Sequence, residues 1–472
     1  MKIIYQNINM PKQKSKVSVK KTSTASKSES HTVKRVERKS AKAVSRLLGL
    51  KDYLGNDFLS WDLGMAKAWE LARIFGFSPL RTPIIEDFNL YKKSTRKNSD
   101  KEFYFVDFER GEKAILRPEL TQGIVRAYLE NKMEELPQPV RLFSVGPIFR
   151  QEKLQSGRYR ESNQFDLEII GEKKPMAEAV LINTAYRFFK ELNINVQLQI
   201  NSLGDADSRK EFNSKLLAFY KERGRRSKLC TNCKKNLGKN SLALLDCRED
   251  SCVKARENAP QIADYLSAFS REHFAKVLEY LDELGVPYNF NSYLVRGLSY
   301  YNDTVFEFWP VNEDGVASGK LALAGGGRCD ALVESLGGKS TPMVGLAVGM
   351  ERVMLKLKEK NSFIKYADEE ELVYVAQIGE QAKTRALLLF EELRVAGFNV
   401  RQSFSVDSLR SQIDEANELK AKVALILGKK EVMDETILMR DMESGVQETV
   451  AQKKIKEKLE KKINRKVGVI YG

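Results

Sequence analysis

At 472 residues and 53.8 kDa the chain is longer than one ordinary hydrophobic core supports, which predicts two or three domains plus tails. Its 42% hydrophobic, 9% aromatic and 30% charged residues can fill packed interiors, but no uninterrupted apolar stretch is long enough to cross a bilayer, so a membrane-spanning role is excluded. The net charge of +15 asks for an acidic partner, while only two histidines, His31 and His273, leave almost nothing for a histidine-based triad or a three-histidine metal site.

The charge is uneven along the chain. Residues 1–46 carry 13 Lys and Arg against Glu29 and Glu37, a net of +11, in a Lys-, Ser-, Thr- and Val-rich stretch without sustained periodicity. Such an arm is expected to be solvated, and touches RNA phosphates without sequence preference or serves as a solubilising tail; a transit peptide is the weaker third reading, because such segments favour Arg where this one is dominated by Lys. From Lys453 to Lys466, 8 basic residues face only Glu457 and Glu460, a net of +6, which predicts a basic tail over 453–472 and leaves −2 for the rest. Trp61, Met65, Trp69, Leu71 and Phe75 recur at roughly helical spacing before a turn at Gly76. After Pro83, short strand patterns alternate with helices as far as Lys360, forming a core in two parts, 47–207 and 285–368, around a helical, charged insertion at 208–284. From Leu372 the pattern changes. Buried-strand runs at Leu372–Ile378 and Val423–Leu427, a short strand at Asn399–Gln402 and helical patterns at Gln381–Val395 and Ser408–Leu419 predict a small α/β domain over 369–452.

The most informative stretch runs from Val140 to Glu152, continues through a polar and basic loop at 153–160, and returns along Gln164-Phe-Asp-Leu-Glu168-Ile-Ile. Both flanks read as strands, and a period of two places Gln164, Asp166 and Glu168 on one face and Phe165, Leu167 and Ile169 on the other. A polar face on a strand in an apolar setting is costly unless it meets solvent or lines a site. Ile194 to Ile200, with Asn195, Gln197 and Gln199 between its apolar positions, offers the plainer pattern of an amphipathic edge strand.

These residues carry a family resemblance. Arg150 with Glu152, Ser156-Gly-Arg-Tyr-Arg160 and Gln164-Phe-Asp-Leu-Glu168 resemble motif 2 of the class II aminoacyl-tRNA synthetases, in the form found in the histidyl-tRNA synthetases. Leu80-Arg-Thr-Pro83-Ile-Ile-Glu86 is similar to motif 1, Leu116-Arg-Pro-Glu119-Leu-Thr121 to the amino-acid-binding turn, and Val344 to Arg352 to motif 3. Leu294-Val-Arg296-Gly-Leu-Ser-Tyr300-Tyr301 with Thr304-Val-Phe-Glu307, followed by Ala324-Gly-Gly-Gly-Arg328, resembles a signature of histidyl enzymes in particular. The resemblance implies an α+β catalytic core on an antiparallel sheet, with motifs 1, 2 and 3, a helical insertion and a C-terminal α/β anticodon-binding domain. It implies a homodimeric enzyme, with the stretch around Pro83 at the interface, that joins L-histidine to its tRNA using ATP with Mg2+; five cysteines that make no disulfide framework, with no secretory-signal pattern, predict the reducing cytoplasm as its compartment. Arg150 is then expected at the α-phosphate, Arg352 at the triphosphate near adenine, and Arg296 beside the α-phosphate and the amino-acid carboxylate. Glu152 and Glu351 join the ATP set. Glu119, Thr121 and Gln164 hold the α-amino group, Glu168 and Tyr301 grip the two imidazole nitrogens, and Tyr300 belongs to the same pocket. An imidazole offers a donor and an acceptor on opposite sides, which suits a carboxylate paired with a phenol.

Three stretches depart from the family pattern. Ser162 and Asn163 stand where Phe and His are usual, Ser299 where Asp is usual, and Cys329 where the family has Tyr. Losing the aromatic platform removes roughly 1 to 3 kcal/mol of base stacking. A synthetase-like protein that senses histidine or uncharged tRNA without charging it is the alternative reading. Finally, Cys230, Cys233, Cys247 and Cys252 make a C-x2-C and a C-x4-C pair inside the insertion, a pattern that either holds a structural Zn2+ through four thiolates or leaves four free thiols.

Overall fold

The computed structural model describes residues 44–92, 102–108, 111–151, 154–296, 300–312, 315–319, 321–360, 371–403 and 406–463. The arm before Val44, Glu152 and Ser299 lie outside the described residues. Two compact units divide after Lys360.

In chain order the strands of the first unit are β1 (Ser78–Pro79), β2 (Ile85–Asp87), β3 (Phe105–Asp107), β4 (Lys113–Leu116), β5 (Val140–Phe149), β6 (Glu161–Ile170), β7 (Val196–Ser202), β8 (Tyr288–Phe290), β9 (Asn302–Pro310), β10 (Ala324–Arg328) and β11 (Met343–Gly349). Eight of them form one sheet in the order β1-β5-β6-β11-β10-β9-β7-β8. Its six inner strands are antiparallel, and β1 and β8 add a short parallel strand at either edge. β7, which reads as an edge strand by its alternation, is thus internal, because the three residues of β8 cover its outer side.

One face of the sheet is apolar and lies under helices. Phe165 meets Phe188 of the helix Met176–Glu191 at 5.6 Å between ring centroids, and Phe189 of the same helix meets Phe308 at 5.5 Å. The helix Asn56–Ile74 joins this layer through leucines and small residues: Leu63, Gly64, Ala68, Leu71 and Ala72 are buried, while Trp69 stays 38% exposed. The opposite face of β6 carries Gln164, Asp166 and Glu168, with Asp166 and Glu168 fully buried. In the insertion, helices Ala206–Lys221, Thr231–Asn236 and Asp250–Arg256 share one apolar cluster with Leu294, Val295, Tyr301 and Val305 of the core. Helix Ala268–Glu283, which charge assigns to the insertion, packs instead in the helical layer, with His273 bonded to Glu178.

The second unit holds a five-stranded sheet of β12 (Leu372–Gln377), β13 (Asn399–Gln402), β14 (Val423–Leu427), β15 (Thr436–Asp441) and β16 (Gln447–Ala451), in the order β13-β12-β14-β15-β16. The first three strands are parallel with helices Glu380–Val395 and Leu409–Glu418 between them; β15 and β16 add an antiparallel hairpin. The start of the expected basic tail is corrected here. Ile455–Lys462 is a helix, and Ile455, Leu459 and Ile463 enter the core of the domain because they recur every four residues beneath the lysines.

Candidate active site

The polar face of β6 forms the floor of the site. Glu119 comes from the turn after β4, where its carboxylate accepts the backbone N–H groups of Thr121 at 3.1 Å and Gln122 at 3.0 Å and so closes the N-terminus of the helix Thr121–Glu130. The Thr121 hydroxyl donates to Glu168 at 2.7 Å. Arg150, just past β5, donates from Nε to the Pro118 carbonyl at 2.6 Å, which brings its charge over Glu119 and Asp166.

Three buried carboxyls meet in this space. Burial pushes the carboxyls of Glu119, Asp166 and Glu168 up, the latter two well up; the charge of Glu119 adds to the rise at Asp166 and that of Asp166 to the rise at Glu168, while Arg150 pulls Glu119 and Asp166 back. Among the described residues, both oxygens of Asp166, Oε2 of Glu168, Oε1 of Gln164 and Nε of Arg296 are buried without a hydrogen-bond partner. A buried polar atom left so costs about 1–3 kcal/mol, so this set is built to receive a ligand with several N–H donors and an anionic end.

The opposite wall explains the glycine-rich run. Arg296 donates from Nη1 to Glu307 at 2.6 Å and lies 5.5 Å from the ring centroid of Tyr301. A Cβ on Gly325 would collide with the Arg296 guanidinium, one on Gly345 with the carboxylate of Glu168, and one on Gly327 would press on the Tyr301 ring. The strands are bare where these side chains lie across them. The Tyr301 phenol is pushed up to about 12 by burial, against the pull of Arg296, so it remains a donor at neutral pH. Tyr300 packs 4.8 Å from Tyr301, and Cys329, 1% exposed, lines the neighbouring apolar cluster.

Arg352, in the first turn of the helix Met350–Glu359, donates to the carbonyls of Gly157 at 3.2 Å and Ala322 at 2.6 Å, clasping the loop between β5 and β6 to the segment before β10. Glu351, expected among the ATP residues, is 4% exposed and accepts from the Asn163 backbone at 2.8 Å, the Asn163 amide at 3.0 Å and Tyr53 at 3.0 Å. The four insertion cysteines stand together as a separate cluster, their sulfurs within 4.8 Å of one another.

Sequence reasoning left three parts of the site unassigned. Asp166 shares the face of Gln164 and Glu168, and its alternation is the signal that could have added it. Trp309, whose indole N–H reaches Glu307 at 3.1 Å, carries no such signal. Behind β10, Arg328 makes a two-pronged pair with Glu178, at 2.8 and 2.5 Å, that also takes His273 at 2.6 Å. These partners are 150 and 95 residues apart in sequence.

An antiparallel sheet whose hairpin loop is clasped by an arginine from the helix after its last strand, with cations spaced along one polar face, defines a class II aminoacyl-tRNA synthetase. The histidyl-tRNA synthetase family model matches residues 49–353 and an anticodon-binding domain model matches 372–462. A histidine–tRNA ligase of Dehalococcoides mccartyi is 37% identical over 406 residues, 85% of this chain and 96% of that protein; one from Fervidobacterium nodosum is 38% identical over 407 residues, 85% and 94%. The crystal structure of the apo histidyl-tRNA synthetase of S. aureus superposes with a TM-score of 0.73 at 30% identity, covering 88% of this chain and 99% of that one. The chain belongs to the histidyl-tRNA synthetase family.

Proposed function

We propose that this protein activates L-histidine with ATP to histidyl-adenylate and then transfers the histidyl group to the terminal ribose hydroxyl of its tRNA. The observation that carries the reading is the convergence of unpartnered Gln164, Asp166 and Glu168 acceptors with Arg296 and Tyr301 from the histidyl-specific run. In this reading Glu119, Thr121 and Gln164 take the α-ammonium, and Glu168 and Tyr301 take the imidazole. ATP enters as its Mg2+ complex. Arg150 and Arg296 flank the α-phosphate and offset the charge that builds as the histidine carboxylate attacks and pyrophosphate leaves, and Arg352 fixes the triphosphate side. Glu152 belongs to the same set by its motif. The retained arginines favour an enzyme over a non-charging sensor.

The domain of residues 372–462 is the proposed reader of the anticodon. Ile84 and Ile85, 36% and 39% exposed beside Pro83, supply apolar surface for the proposed homodimer. No helix among the described residues is long and apolar enough to cross a membrane, and the proposed location is the cytoplasm. Purified protein given ATP, Mg2+ and labelled histidine should charge total tRNA; absence of labelled tRNA would overturn the proposal.

A further inference from the structure

The cysteine cluster, with Cys233 and Cys252 buried and Cys230 and Cys247 half-buried, has more structure than four free thiols require. All four sulfurs lie within 4.8 Å of one another, with Cys230 and Cys247 at 4.0 Å. A disulfide needs about 2.05 Å, whereas a tetrahedral ion with Zn–S bonds of about 2.3 Å sets its sulfurs about 3.8 Å apart. Backbone N–H groups already point at the sulfurs, Cys230 to Cys252 Sγ at 3.1 Å and Cys233 to Cys230 Sγ at 3.4 Å, as suits thiolate acceptors. Around them stand helices of only six and seven residues, too short to persist without a tie.

Two basic residues lead from this cluster to the active site. Arg248, next to Cys247, lies 5.1 Å from the ring centroid of Trp309; Trp309 donates to Glu307 Oε2 at 3.1 Å; the other oxygen of Glu307 takes Arg296 at 2.6 Å. Arg256, in the helix of Cys252, lies 5.1 Å from the ring centroid of Tyr293, at the start of the Leu294–Arg296 segment.

We propose that Cys230, Cys233, Cys247 and Cys252 bind one Zn2+ as thiolates and that this ion positions Arg296 through Arg248, Trp309 and Glu307. The positioning half rests on the proposed histidine activation; the metal half does not. Binding releases the remaining thiol protons, and the backbone N–H groups of Cys230 and Cys233 that point at the sulfurs help to hold the negative charge of a four-thiolate centre. In this arrangement the insertion is a brace for the histidyl-specific segment.

Full-length protein should contain about one zinc per chain, and its Co2+-substituted form should show the intense sulfur-to-metal absorption of a tetrahedral thiolate site; both should be lost in Cys247→Ser. A metal-free wild-type chain, or cobalt spectra lacking thiolate bands, would overturn the site. Arg248→Ala should keep its zinc and its unfolding temperature yet lower kcat of histidine-dependent pyrophosphate exchange about tenfold at unchanged KM for ATP, with Arg248→Lys largely restoring it. Trp309→Phe should keep zinc and show the same kcat loss, because the ring remains and the donor to Glu307 does not. Wild-type kcat in both Arg248→Ala and Trp309→Phe would overturn the relay while leaving the metal site standing, and inactivity of the wild type would count against the activation reading alone.

Discussion

Asp166 sits where an ionised carboxylate is least comfortable, fully buried with no hydrogen-bond partner among the described residues and with Glu119 and Glu168 close by. Its folded-state pKa lies above the unfolded value of about 3.9, so the folded protein holds its proton more tightly than the unfolded chain does. Stability from this group is complete below the unfolded pKa and is lost as pH rises towards the folded one. Asp166→Asn should therefore raise the thermal midpoint of the ligand-free protein, by more at pH 8 than at pH 5, while weakening histidine binding. Thermal melts at the two values test this; a shift independent of pH would mean that Asp166 is not held uncharged. The Glu178 carboxyl runs the other way. Burial opposes its charge, but hydrogen bonds from His273 and Arg328 outweigh that and hold it below the ordinary range. Its contribution is present above the unfolded pKa and fades as pH falls through the lowered one. Glu178→Ala strands the buried Arg328, 1% exposed, and should cost about 3–5 kcal/mol of unfolding free energy at pH 7. Denaturant unfolding of the variant measures it, and a loss below about 1 kcal/mol would contradict the assignment.

Among the strands, β10 separates two uses of glycine. Gly325 faces the Arg296 guanidinium, the movable end of a long side chain, whereas a Cβ on Gly326 would strike the backbone carbonyl of Gly345 on β11. Gly325→Ala should thus fold with a nearly unchanged unfolding temperature and lose histidine activation, while Gly326→Ala should unfold at lower temperature. Equal melting curves for the two would show that the strand spacing absorbs a methyl group. The difference also marks what the amino-acid order could carry. Alternation along β6 makes the polar face visible, and the motifs assign Arg150, Arg296 and Arg352 to one site without any knowledge of the fold. Pairings set by side-chain direction or by distant elements leave no such trace: Trp309 to Glu307 lies inside one strand but depends on how the indole turns, and Glu178 to Arg328 joins distant helix and strand. The hairpin of β15 and β16 escapes a reading of the sequence because its alternation is weak, and the final helix because lysines mask Ile455 and Leu459.

Over the whole chain, charge and catalysis are separable. Residues 47–463, which include the final helix, carry +2 while the first 46 residues carry +11, which makes the arm the largest block of positive charge in the chain. The charge is nevertheless uneven within the middle: Lys221 to Lys239 hold 8 basic residues against Glu222 alone, in the insertion. Deleting residues 1–46 should weaken tRNA binding and flatten its dependence on salt, by about 0.9 in slope for each phosphate no longer neutralised, without changing tRNA-independent activation. Affinities at two salt concentrations for both lengths decide it, and coincident lines would leave the arm a solubilising tail and the insertion's basic stretch as the stronger source.

Histidine activation, as proposed, depends above all on Arg296, held by Glu307 and laid across the bare strand at Gly325. The decisive experiment is exchange of labelled pyrophosphate into ATP, measured for the wild type and Arg296→His with histidine, glycine, proline or threonine. Exchange is expected with histidine alone, depressed on the order of 100-fold in Arg296→His at a nearly unchanged unfolding temperature. Exchange driven by another of these amino acids, or near-normal exchange in Arg296→His, would refute the role given to this arginine.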